Sequence, residues 1–67
     1  MQEIMQEVAL YSVLLSSRVA PIFIVDYEDA LFYKVGKEER IIYGEDRWKI
    51  FLAILKALWK DNQVLRN

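Results

Sequence analysis

The stretch EDRWKIFLAILKALWKD, Glu45 to Asp61, constrains the fold more than any other part of the chain. Spaced at 100° per residue, Trp48, Phe51, Leu52, Ile54, Leu55, Leu58 and Trp59 fall on one continuous arc. Ile50 widens that arc to close to half the circumference. Lys49, Lys56 and Lys60 share the opposite stripe, with Ala53 between them. A helix is predicted over about 45–61, with Gly44 as its cap, Glu45 and Asp46 placing negative charge in its first turn, and Asn62 as its stop. An apolar arc this wide needs cover from more than one surface, and the rest of the chain must supply part of it.

Upstream, residues 2–17 set Ile4, Val8, Tyr11, Leu15 and Val19 in a stripe at helical spacing, opposite Gln2, Glu3, Gln6 and Glu7. The apolar run Val8–Leu15 would suit a strand by itself, but the full stripe favours a helix over about 2–17. Pro21 ends it, because the residue before a proline is pushed out of helical angles. Ile22-Phe23-Ile24-Val25 is unbroken and β-branched or aromatic, the pattern of a central strand covered on both faces; a strand is predicted over about 22–26. Asp26-Tyr27-Glu28-Asp29 reads as a turn, followed by strands over about 30–36 and 39–43.

Gly36-Lys37 fits a two-residue hairpin loop of type II′, which needs glycine at its first central position. That loop pairs Val35 with Glu38, Lys34 with Glu39, Phe32 with Ile41 and Ala30 with Tyr43. One face then carries Ala30, Phe32, Ile41 and Tyr43, with a Lys34–Glu39 charge pair at its end. The other carries Leu31, Tyr33 and Ile42. Both faces are too apolar to be left in water.

The chain has 67 residues, 55% of them apolar, and lacks both cysteine and histidine. A domain this small buries only about 60% of its unfolded surface and usually needs a disulfide, a metal or a partner. Disulfides and thiolate or imidazole metal sites are excluded by composition, which leaves a partner. Net charge is −1, but residues 1–46 carry four basic and nine acidic side chains, whereas residues 47–67 carry five basic and one acidic. The last helix is thus a basic rod on an acidic body. No apolar run approaches the roughly 20 residues that span a bilayer, and acids stand where a signal peptide carries basic residues. A cytoplasmic location is the expectation.

Candidate sites are few. Asp26, Glu28 and Asp29 are the only cluster resembling a hard-cation site, but a dedicated calcium loop needs more ligands and a glycine at its bend. Solubilising turn acids are the commoner use, and no metal or cofactor is expected. Ser12, Ser16, Ser17 and the tyrosines have no histidine to act as base, and two glycines are too few for a phosphate loop or a dinucleotide fingerprint. No catalytic residues are assigned. Arg47, Lys49, Lys56 and Lys60 are the candidate contacts for an anionic partner. The sequence pI of about 5.3, however, lies far below that of a dedicated nucleic-acid binder. The same helix, with two tryptophans opposite lysines, also has the pattern of an interfacial membrane helix, though the sheet needs that apolar arc for its own core.

A helix leading into PIFIVDYEDALFYKVG, residues 21–36, resembles the opening of a roadblock-type dimerisation domain. Ala30 stands where that family tends to carry glycine, and no function is carried over from the likeness.

These features specify an α+β domain in the order α-β-β-β-α, a three-stranded antiparallel sheet packed by two helices. The functional expectation is a non-enzymatic homo-oligomer, most simply a two-fold dimer, with Trp48, Phe51, Leu55 and Trp59 at its interface. The alternative is a small nucleic-acid-binding regulator that uses the lysine stripe.

Overall fold

A computed structural model describes residues 2–66, and the side chains of residues 3–63. Helix α1 spans Gln2–Arg18, strands β1, β2 and β3 span Ile22–Tyr27, Ala30–Val35 and Glu38–Tyr43, and helix α2 spans Arg47–Arg66. The sheet is antiparallel with strand order β1-β2-β3. The fold is the predicted α-β-β-β-α arrangement, with both helices on one side of the sheet. Across its thinnest direction the Cα trace measures 15 Å, the depth of one helix layer on one sheet layer.

The β2–β3 register is the one the Gly36-Lys37 loop dictates: Val35 opposite Glu38, Phe32 opposite Ile41 and Ala30 opposite Tyr43. Gly36 has φ +62 while Lys37 stays at negative φ, as a type II′ turn requires. A Cβ added to Gly36 would lie 3.4 Å from the Ala20 side chain. The β1–β2 connection is equally tight, since Tyr27 pairs with Ala30 and only Glu28-Asp29 lie between. Glu28 has φ +55, a conformation L side chains rarely adopt, and no glycine is there to relieve it. β1 runs one residue beyond the predicted strand: Tyr27, read from sequence as a turn residue, pairs with Ala30 and continues the ladder after Asp26 and Leu31.

Three further expectations are corrected. β1 is an edge strand, not a central one, and only its Ile22 and Ile24 side is partly covered. Helix α2 begins at Arg47, so Glu45 and Asp46 lie before its first turn. The Asp46 carbonyl accepts the first helical hydrogen bond, from Ile50 N at 3.0 Å. Nor does Asn62 stop α2, which continues through Arg66, with Asn67 outside the described residues. Asparagine is only a mildly unfavourable helix residue, and nothing after it forces the chain out of helical angles.

The core sits between the helices and the inner face of the sheet. Val8, Leu15, Leu31, Phe51, Leu52 and Leu55 are buried, and Ile22, Ile24, Tyr33, Ile42, Trp48, Leu58 and Trp59 pack around them. Phe51 is its centre, with the Tyr33 ring 4.9 Å away and the Trp48 ring edge-on at 6.0 Å. A core this small is typical of a domain that needs further cover.

Candidate interaction surface

Side chains alternate across a sheet, so one set of strand positions faces the helices and the other faces away. The outward set forms three rows: Phe23-Lys34-Glu39, Val25-Phe32-Ile41 and Tyr27-Ala30-Tyr43. Six of these nine side chains are large apolar or aromatic groups left exposed, from 40% for Phe32 to 73% for Tyr43. At about 200 Å² per aromatic side chain, the four aromatics leave roughly 480 Å² in water, and Val25 and Ile41 bring the patch to about 650 Å². Soluble monomers rarely expose more than about 300–600 Å² in one patch. The whole chain shows the same excess: 5036 Å² accessible, against about 4,450 Å² for a typical folded monomer of this mass.

The face is not flat. A depression of about 470 Å³ lies over Phe23, Val25, Phe32, Lys34, Glu39 and Ile41. At the opposite end Ala30 is too small to fill its place between Tyr27 and Tyr43. The resulting notch of about 290 Å³ is also lined by Phe32, Glu28, Asp29 and Gly44. Lys34 and Glu39 stand opposite each other as expected, yet they form no ion pair; the three ion pairs among the described residues lie elsewhere.

Trp48, Phe51, Leu55 and Trp59, the residues expected from sequence at an interface, line the core instead of this face. Phe51 and Leu55 have no accessible surface and Trp48 and Trp59 are half-buried against the same core, so the centre of the α2 arc is used within the chain while Ile50 at its edge stays exposed. Phe51 and Leu55 are therefore withdrawn as interface residues. The surplus lies on the sheet, at Phe32, Ile41 and Tyr43, together with Phe23, Val25 and Tyr27, which sequence reasoning had not assigned to it. Their signal was present: a two-residue Glu28-Asp29 turn puts odd-numbered β1 positions on the Phe32 face. A smaller exposed strip runs along α1 through Met5, Leu10 and Val13, interleaved with Gln6, Ser16 and Ser17.

The candidate anion contacts do not act as one group. Arg47 is turned inward: Nε donates to Asp26 Oδ1 at 2.6 Å and Nη2 to Oδ2 at 3.2 Å, while Nη1 reaches the Gly44 carbonyl at 3.0 Å. Trp48 Nε1 also donates to Asp26 Oδ2 at 3.3 Å. This fork ties the end of β1 to the start of α2. The Arg47 hydrogen bond holds the Asp26 carboxyl below its ordinary value of 3.8; partial burial opposes the shift, and the Trp48 hydrogen bond adds to it. The same contact raises the Arg47 guanidinium. Lys56 pairs with Glu7 across the helices at 3.1 Å, which leaves Lys49 and Lys60 exposed and unpaired among the described residues. Among the described residues, no three acidic side chains come together in a group that could hold a metal.

No family model matches the chain, and no curated protein or solved structure does either. Among the described residues, no helix is long and apolar enough to cross a membrane.

Proposed function

We infer that this protein is a non-enzymatic interaction module that works as a homodimer. The observation that supports the reading is the exposed outer face of the sheet, an apolar patch of about 650 Å² on one side of a two-layer domain. Two copies stacked through this face would remove about 1,300 Å² from water, within the range of stable interfaces. A two-fold dimer buries the same patch on both copies and is the commonest closed assembly. The anion-binding alternative is weaker, because Arg47 and Lys56 are already paired with Asp26 and Glu7. Sedimentation equilibrium from low to high micromolar concentration tests the reading. The expected result is a species of twice 8.0 kDa, with a urea midpoint that rises with protein concentration. A folded monomer with a concentration-independent midpoint would refute it.

A further inference from the structure

We propose that the dimer's two-fold axis crosses the strands at Phe32, so that Lys34 of each copy enters the notch over the partner's Ala30. The inference rests on the dimer reading above and adds the geometry of the contact.

Packed sheets keep their strands aligned within about 30°, so an in-plane two-fold axis through the centre of this face, the position that covers the whole patch, can take two directions. With the axis along the strands, each row lies over itself. Lys34 then sits over the partner's Lys34, and Phe23 over the partner's Glu39. Two ammonium groups would meet in a closing apolar interface with nothing between them. With the axis across the strands, the first row lies over the third. Phe23 meets the partner's Tyr27, Glu39 meets the partner's Tyr43, and Phe32 meets its own copy at the centre.

In that second arrangement every charge on the face finds a partner. The Lys34 ammonium enters between the rings of the partner's Tyr27 and Tyr43, where a cation is held over aromatic faces. Glu28 and Asp29 line the same notch and add negative charge. The hydroxyl of the partner's Tyr43 can donate to the Glu39 carboxylate. This explains two features that a generic apolar patch does not: a small residue at the centre of an aromatic row, and a facing Lys–Glu pair that forms no ion pair within its own chain.

The chain has no cysteine, so single introduced thiols report the axis directly. In the proposed dimer, position 41 faces its own copy across about 10 Å, whereas the two copies of position 34 lie about 17 Å apart, offset along the strands. Full-length Ile41→Cys treated with a short bis-maleimide should therefore give a covalent dimer, and Lys34→Cys little or none. With the axis along the strands Lys34→Cys would cross-link the more readily, and that result overturns the proposal. Equal cross-linking of both variants, or of neither while the wild type sediments as a dimer, overturns it too. A monomeric wild type removes the dimer reading itself, and sedimentation of the unlabelled protein identifies that case. As a second readout, Lys34→Glu should weaken dimerisation at least tenfold while Lys34→Arg keeps it. An unchanged dimer constant in Lys34→Glu contradicts the notch contact.

Discussion

The two faces of the sheet are made of similar residues and meet different fates. The inner face carries Ile22, Ile24, Leu31, Tyr33 and Ile42, and both helices lie on it. The outer face carries Phe23, Val25, Tyr27, Phe32, Ile41 and Tyr43, and none of the described residues lies over it. Composition alone does not separate them. What separates them is where the α2 arc docks: Phe51 fills the space against Tyr33, and the Asp26–Arg47 fork fixes the side from which α2 approaches. The result is an apolar sheet face left bare by the helices of its own chain.

Alanine truncations in the core, on the inner face and on the outer face should have different consequences. Phe51→Ala should cost about 3–5 kcal/mol of stability, because it empties the centre of a small core. Leu31→Ala should cost about 2–5 kcal/mol for the same reason. Outer-face Ile41→Ala should leave the far-UV circular dichroism of the folded chain unchanged and act through the dimer constant. Urea unfolding at several protein concentrations separates the two effects. Equal, concentration-independent losses on both faces would mean that the outer face is as closely packed as the inner.

The two hairpin turns give the next effect down, and they differ in sign. Gly36→Val should destabilise by about 1–3 kcal/mol, since a β-branched residue at φ +62 is strained. Glu28→Gly should stabilise by up to about 1 kcal/mol, because it relieves a side chain already held at φ +55. Thermal melts of both variants check the pair; an unchanged melting temperature for Gly36→Val would contradict the turn assignment.

Acid titration sharpens the role of the fork that seats α2. The folded-state pKa of Asp26 lies below its ordinary 3.8. Its stabilisation is therefore fully present well above that value and is lost as pH falls through it toward the lower folded-state pKa. Asp26→Asn should be less stable than wild type at neutral pH and lose less stability on acidification. Urea midpoints at neutral and acid pH measure this, and parallel profiles for the two proteins would refute the linkage. The smallest effect belongs to the lysine stripe: Lys49→Gln and Lys60→Gln should each change stability by no more than about 0.5 kcal/mol and leave retention on DNA unaltered.

Much of this fold was legible because its signals are local. Gly36 fixes one hairpin and its full register, Pro21 ends α1, and the arc from Trp48 to Trp59 identifies α2. What escaped reading depends on contacts distant in sequence. Arg47 looked like an exposed cation because its partner, Asp26, lies 21 residues upstream. The start of α2 was blurred because Gly44, Glu45 and Asp46 are all acceptable near a helix N-terminus. The run Ile22–Val25 reads as a strand covered on both faces, and the chain covers only one of them. The same degeneracy left the exposed face unassigned: both faces of the sheet read as needing cover, and the strand pattern does not say which of them the helices take.

The claim that the outer sheet face is the interaction surface is tested most directly by moving one charge between two exposed apolar sites. Sedimentation equilibrium of Phe32→Glu beside Val13→Glu, each with far-UV circular dichroism as a control for folding, compares the sheet with the strip on α1. The predicted result is a native-like monomer of 8.0 kDa for Phe32→Glu and a dimer for Val13→Glu. A dimeric Phe32→Glu beside a monomeric Val13→Glu would move the interface to α1 and contradict the claim.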